Sequence, residues 1–103
     1  MIRRSIAFSP EARGDLVNLY DWIADAASAE TALAYIERIE AFLTTFDIGS
    51  ERGVRRDDIR PGLRIIGFER RLTVAFTVYE TEVVILRLFY GGQNWPATLE
   101  DEA

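Results

Sequence analysis

The sequence predicts an α+β fold of order β-α-α-β-β-β, in which an antiparallel helical hairpin packs on one face of a mostly antiparallel four-stranded sheet. The main observation is the segment Leu72–Tyr90, where apolar and polar residues alternate on both sides of an interruption at Glu80–Glu82. This alternation is typical of a β-hairpin. Two earlier segments repeat apolar residues at spacings of three and four, as amphipathic helices do.

The first predicted strand, Ile2–Phe8, leads directly into a helix start. Ser9 can cap the helix, and Pro10 suits its first position because a proline there loses no hydrogen bond. Glu11 faces the positive end of the helix dipole. The helix is expected to end near Asp25. Its apolar face consists of Ala12, Leu16, Leu19, Tyr20 and Ile23.

A second helix is predicted from Ala29 to about Phe46, with Ser28 as its cap and Gly49 as the residue that ends it. The short break between the two helices indicates an antiparallel hairpin. The apolar positions of the second helix again share one face. They are Ala32, Tyr35, Ile36, Ile39, Phe42, Leu43 and Phe46.

The segment Gly49–Gly62 has the composition of a loop and is locally rich in arginine. A strand is predicted at Leu63–Phe68, and Glu69–Arg71 turns the chain into the central hairpin. Beyond the hairpin Pro96 stops any strand, and the acidic residues 98–103 are expected to form a frayed tail. Residues 1–103 are interpreted as a single domain.

Because two helices cover one face of a sheet, the other face is expected to stay partly open. The alternation places Arg87 with Val83, Ile85 and Phe89 on one face of the last strand, opposite Leu88 and its neighbours. An exposed apolar patch on a small protein usually marks a binding site. The residues expected to be open are Thr73, Thr77, Tyr79, Ile85, Arg87 and Phe89.

Composition removes several classes of chemistry. The chain has 103 residues, a net charge of −5, no cysteine and no histidine, and all 12 basic residues are arginine. Disulfides, thiolate catalysis and histidine-based catalysis or zinc binding are therefore excluded. No catalytic set, metal site or cofactor motif is found. Neither a signal peptide nor a membrane-spanning segment is found, so a cytoplasmic protein is expected.

Two residue types leave their roles open. Arg60, Arg64 and Arg87 suit bidentate binding of phosphate or carboxylate groups, and they suit internal salt bridges equally well. Trp22 and Trp95 are interpreted as packing residues in preference to stacking platforms.

Four motifs together resemble the ParE toxins of bacterial toxin–antitoxin pairs. They are the helix start Ser9–Leu16, the pair Tyr35-Ile36, the loop Arg60–Arg64 and the closing strand with its turn, Arg87–Asn94. The resemblance covers about residues 3–99 and extends to the related RelE group. It implies a toxin that is neutralised by a ParD-like antitoxin and that poisons DNA gyrase, without sequence-specific nucleic-acid binding of its own.

The resemblance also carries alternatives. RelE proteins cut messenger RNA on the ribosome, which is a second hypothesis for this chain. A non-toxic module that only binds an antitoxin is a third hypothesis. ParE proteins often have histidine at the Tyr90 position and arginine at the Gln93 position, and this chain has neither. RelE-type nucleases use lysine, which the chain lacks, and its acidic balance is poor for binding ribosomal RNA. Gyrase inhibition is therefore favoured over RNA cleavage.

Two groups of site residues are expected. Those for antitoxin binding are Leu16, Leu19, Ile23, Arg64, Arg87 and Phe89. Those for contact with the target are Arg60, Tyr90, Gln93 and Trp95.

Overall fold

The computed structural model describes residues 3–102, which form three helices and a five-stranded sheet. The α+β class and the helical hairpin on one sheet face are confirmed. In chain order the elements are β1 Ser5–Phe8, α1 Pro10–Ala26, α2 Ala29–Thr44, β2 Val54–Arg55, β3 Leu63–Phe68, β4 Leu72–Val78, β5 Glu82–Tyr90 and α3 Trp95–Glu102. No helix among the described residues has both the length and the apolar character needed to cross a bilayer.

The strand order is β1-β5-β4-β3-β2, with β1 parallel to β5 and the other pairs antiparallel. The prediction of four strands was wrong by one, because β2 pairs with Arg64–Ile65 of β3. Two residues are too few to show alternation. Gly53 permits this pairing: its φ is 76°, and a Cβ there would lie 2.4 Å from the carbonyl oxygen of Ile65.

Both predicted helix caps are present. The Ser9 hydroxyl accepts a hydrogen bond from the Ala12 amide (3.0 Å) and donates one to the Leu86 carbonyl of β5 (2.7 Å). Ser28 accepts from the Thr31 amide at 3.1 Å. At its C-terminus α2 tightens into a 3₁₀ turn, Thr45–Asp47. The helical backbone therefore ends at Asp47, close to the predicted end near Phe46, but Gly49 does not have the positive φ of a terminating glycine.

The alternation of β5 changes at a β-bulge. Ile85 lies opposite Phe76 and Arg87 lies opposite Ala75, so Leu86 has no counterpart on β4. An inserted residue shifts the period of two by one position. Ile85 consequently packs in the core under α1 and α2, whereas Phe89 faces the other side. The prediction that Ile85 shares a face with Phe89 was wrong for this reason.

The second face of the sheet is covered by α3. Leu99 is only 1% exposed and packs with Leu63, Ala75 and Phe89. Within residues 3–102, the predictions of an open sheet face and of a frayed tail were therefore wrong. Trp95 and Leu99 are four residues apart, which places them on one helical face. Tyr79, at the end of the sheet, does remain 56% exposed.

Replacing Leu99 tests the role of α3. Leu99→Ala is expected to lower the free energy of unfolding by about 2–4 kcal/mol, because it leaves a cavity under the helix. Urea unfolding measures the change. Asp101→Ala, an exposed position on the same helix, is the control and should change stability by less than about 0.5 kcal/mol. Equal stabilities of the two variants would contradict the packed helix.

Candidate functional site

The main candidate site is a groove where the helical hairpin meets the end of β5 and the β3–β4 turn. It consists of two adjoining hollows of about 570 Å³ and 550 Å³. Trp22, Arg71 and Tyr90 line both hollows and therefore join them into one groove. We call this groove the aromatic cleft.

Aromatic side chains form the floor and one rim of the cleft. The Trp22 ring lies 5.3 Å from the Tyr90 ring, and the Tyr90 ring lies 5.8 Å from Tyr35. Phe68 continues the series toward the core at 6.3 Å from Tyr35. Trp22 is 57% exposed in spite of its contact with Tyr90. The predicted packing role therefore describes only part of this side chain, and the remainder offers the kind of apolar surface that partners bury.

The β3–β4 turn places charge at the opposite rim. Glu69 and Arg70 have φ values of 50° and 65°, a left-handed conformation that tight hairpin turns require and that favours glycine or asparagine. Glu69 accepts two hydrogen bonds from Arg38, at 2.9 and 3.1 Å, which hold the pKa of its carboxyl below the usual value. Arg71 is exposed and forms no ion pair with any described residue.

Asp15 and Arg87 form a well-shielded ion pair at the wall of the cleft. The carboxylate accepts from Arg87 Nε at 2.8 Å and from Nη2 at 3.0 Å. It also accepts from the Leu88 amide at 2.9 Å. The bond to Asp15 raises the pKa of Arg87, whose guanidinium also binds Glu102 of α3. The guanidinium is therefore shared between two carboxylates and is not free to act as a binding group.

The structure brings five of the predicted site residues to the cleft. Leu19 and Ile23 form its helical wall, and Arg87 and Tyr90 lie on the β5 side. Gln93 closes the turn after β5, because its side-chain oxygen accepts a hydrogen bond from the Tyr90 amide at 2.8 Å.

The other five predicted residues lie elsewhere. Leu16 is half-buried against the core, and Phe89 is only 2% exposed beneath α3. Arg60 donates to the backbone oxygen of Glu102 at 3.3 Å. Trp95 packs under the guanidinium of Arg56, 5.3 Å from the ring centroid.

Arg64 does not share a face with Arg87, contrary to expectation. It lies opposite Phe76, whose side chain is in the core under the helical hairpin, whereas Arg87 lies opposite Ala75 on the α3 side. Arg64 donates to the Arg52 carbonyl at 3.3 Å, away from the aromatic cleft.

Sequence reasoning missed Arg38, Arg71 and the exposed part of Trp22 as site residues. Trp22 lies outside the predicted apolar face of α1, and this position was the available signal. Arg38 and Arg71 are separated by more than thirty positions in the chain and meet at the cleft only through the fold. Among the described residues, no cluster of three or more carboxylates is arranged to hold a metal ion.

A family comparison identifies the chain. The family model described as "ParE toxin of type II toxin-antitoxin system, parDE" matches residues 6–95. The chain belongs to the ParE toxin family. No curated protein sequence matches it.

Solved structures agree with the ParE assignment. A chain of the chromosomal ParDE toxin–antitoxin system from P. aeruginosa is 26% identical with a TM-score of 0.75, covering 86% of this chain and 97% of that one. A chain of the RelBE2 toxin–antitoxin complex from Mycobacterium tuberculosis is 20% identical with a TM-score of 0.55, covering 86% of this chain and 99% of that one. The second likeness concerns the fold alone.

The arginine–proline–glycine motif of this ParE chain has a structural role. Gly62 has a φ of 81°, and its amide donates to Asp57 Oδ1 at 2.8 Å. That bond is the main cause of the lowered pKa of Asp57. The motif thus closes the loop that leads into β3.

The Asp15–Arg87 pair gives a stability prediction. Arg87→Ala is expected to lower the free energy of unfolding by about 2–4 kcal/mol, between the values for exposed and buried pairs, because Asp15 loses its cation. Arg13→Ala, an exposed arginine of α1, should change it by less than about 0.5 kcal/mol. Urea unfolding of both variants measures the difference. An Arg87→Ala protein as stable as Arg13→Ala would show that the pair does not hold α1 to β5.

Proposed function

We propose that this ParE-type toxin is neutralised by a ParD-like antitoxin whose C-terminal half folds along the aromatic cleft, and that the free toxin inhibits DNA gyrase. The exposed Trp22 ring at the cleft carries the first part of the proposal. The second part rests on the resemblance of the chain to ParE toxins, which implies poisoning of gyrase, and membership of the ParE family supports it. Action in the cytoplasm, where gyrase and newly made antitoxin are found, belongs to the same proposal.

The shape and chemistry of the cleft suit an amphipathic segment. The exposed Trp22 ring offers apolar surface beside the buried Leu19 and Ile23, and Arg71 lines both hollows. A segment that is disordered in isolation can wrap such a groove and become ordered as it binds. The similar chain from the P. aeruginosa ParDE system supports a ParD-like protein as the partner.

Non-enzymatic action is favoured over RNA cleavage. The chain has neither histidine nor lysine to serve as a general base or acid near neutral pH. Arg87, the arginine in the closing strand, is engaged by Asp15 and Glu102. The net charge of −5 opposes binding to ribosomal RNA. Inhibition of a protein target through surface contacts requires none of these groups.

The toxin activity is tested with purified protein. Added to gyrase and relaxed plasmid, it is expected to inhibit supercoiling and to accumulate cleaved DNA, while translation in a cell-free reaction continues. Toxin mixed beforehand with its antitoxin is the control and should leave both reactions unaffected. Ribosome-dependent cleavage of messenger RNA would instead favour the RelE-like activity. Antitoxin binding without either effect would indicate a non-toxic binding module.

The antitoxin site is tested by calorimetry with the C-terminal peptide of the antitoxin. Coupled folding is expected to give a large negative heat-capacity change and to raise the melting temperature of the toxin. Trp22→Ala should weaken binding roughly 30-fold, since a central aromatic anchor typically contributes about 2 kcal/mol or more. Leu33→Ala is the matched control, because Leu33 is 53% exposed but lines neither hollow. Binding only through the N-terminal half of the antitoxin would contradict this mode.

A further inference from the structure

The Tyr35 hydroxyl lies buried beside the aromatic cleft without a hydrogen-bond partner. The residue is 7% exposed, and within residues 3–102 its oxygen has no donor or acceptor at bonding distance. Tyr35 belongs to α2, and its side chain lines the hollow next to the β3–β4 turn. A buried hydroxyl that forms no hydrogen bond is costly, so native proteins rarely leave one.

The charged surroundings of this hydroxyl are unequal. Burial raises the pKa of Tyr35 and the charges of Tyr90 and Glu69 raise it further, while those of Arg38 and Arg71 lower it. The Arg38 guanidinium lies 5.0 Å from the centroid of the Tyr35 ring, and Arg71 lines the same hollow. Arg38 is neutralised by Glu69, with which it forms two hydrogen bonds. Arg71 pairs with no carboxylate of the described chain. One O–H donor and one uncompensated cation therefore border the same hollow.

A carboxylate satisfies both groups together. It accepts a hydrogen bond from a hydroxyl and pairs with a guanidinium, and it has enough lone pairs to do both at once. A lysine or arginine from a partner would be repelled by Arg71, and an apolar side chain would leave the hydroxyl unsatisfied.

We propose that Tyr35 and Arg71 form a carboxylate subsite in the aromatic cleft, which takes one Asp or Glu side chain of the antitoxin segment. This inference rests on the proposed function and specifies the chemistry of the partner. Arg38, whose guanidinium lies over the Tyr35 ring, and Arg71 in the same hollow have long side chains that can change rotamer when the acid enters. The segment thus combines apolar residues against Trp22 with one acid directed at Tyr35.

The surroundings favour a single acid over a chain of phosphates. Glu69 borders the same hollow, and Asp15 borders the adjoining one. A nucleic-acid backbone, with a charge at every nucleotide, would meet these carboxylates along the groove. A single carboxylate also enters near Glu69, but Glu69 is already paired with Arg38, so one acid between apolar residues meets less repulsion along the groove than a phosphate chain does.

The Tyr35→Phe substitution in the intact toxin tests the role of the hydroxyl, through the melting temperature of the toxin and its affinity for the antitoxin. Because the substitution removes an unsatisfied group, the melting temperature of the free toxin is expected to be unchanged or higher. The affinity for the antitoxin is expected to fall roughly tenfold or more, the usual loss for a hydrogen bond to a charged group. Tyr20→Phe, a half-buried tyrosine on the same core, is the control and should change neither quantity.

A double-mutant cycle identifies the ligand. Arg71→Gln is expected to weaken binding, and one Asp→Asn or Glu→Gln substitution in the antitoxin should weaken it similarly. If that acid binds Tyr35 and Arg71, its substitution should have little further effect with Tyr35→Phe or Arg71→Gln toxin. The same substitution should retain its full effect with Tyr20→Phe toxin.

Each other outcome is decisive. If Tyr35→Phe lowers the melting temperature by about 4 °C or more, the hydroxyl is bonded in the free toxin and the proposal is wrong. Wild-type affinity of Tyr35→Phe toxin, or additive effects for every antitoxin acid, would also overturn it. If Tyr35→Phe weakens binding of an RNA oligonucleotide but not of the antitoxin, the subsite takes phosphate. If wild-type toxin does not bind the antitoxin at all, the proposed function fails and the subsite with it.

Discussion

The unpaired half of β5 is the constraint on which the rest of the structure depends. β1 pairs with only the first half of this strand, Glu82–Ile85, and leaves the backbone beyond it at the sheet edge. Side chains outside the sheet form hydrogen bonds with the backbone groups of that edge, one after another along β5. Ser9 donates to the Leu86 carbonyl, Asp15 accepts from the Leu88 amide and Gln93 accepts from the Tyr90 amide. Exposed strand edges otherwise invite pairing with other chains. The first helix with its cap, together with the turn after β5, therefore takes the place of a neighbouring strand.

The same edge determines where α1 and α3 lie on the two faces of the sheet. Asp15 binds Arg87 as well as the Leu88 amide, so α1 is held to the side of β5. Arg87 binds Glu102 as well, which links α3 to the same point from the other face. The β-bulge at Leu86 makes this possible, because it turns Arg87 and Phe89 toward α3 while Leu88 stays under the helical hairpin. One arginine thus connects three elements.

The aromatic cleft is a consequence of this arrangement. With α1 held at the strand end, Trp22 reaches Tyr90 but remains more than half exposed. The cleft therefore joins rigid surroundings to groups without internal partners, namely the Trp22 surface, Arg71 and the Tyr35 hydroxyl. Preorganised apolar surface next to unsatisfied polar groups favours a partner that supplies both apolar contacts and a charge. This combination distinguishes the cleft from the arginines around Arg64, which lie at another part of the sheet.

The sequence by itself determined the order of α1, α2 and the strands β1, β3, β4 and β5, the two helix caps, the apolar face of α1 and the family, because each depends on residues close together in the chain or on a fixed motif. The bulge at Leu86 was not predictable, since an inserted residue shows only against the register of β4. The covering of Phe89 by α3 was likewise undetermined, because eight residues with only two large apolar side chains resemble a tail until a sheet is available to pack against. The cleft also needed the tertiary structure. Tyr35, Arg71 and Trp22 come from three elements, and only their packing around the edge of β5 brings them to one groove.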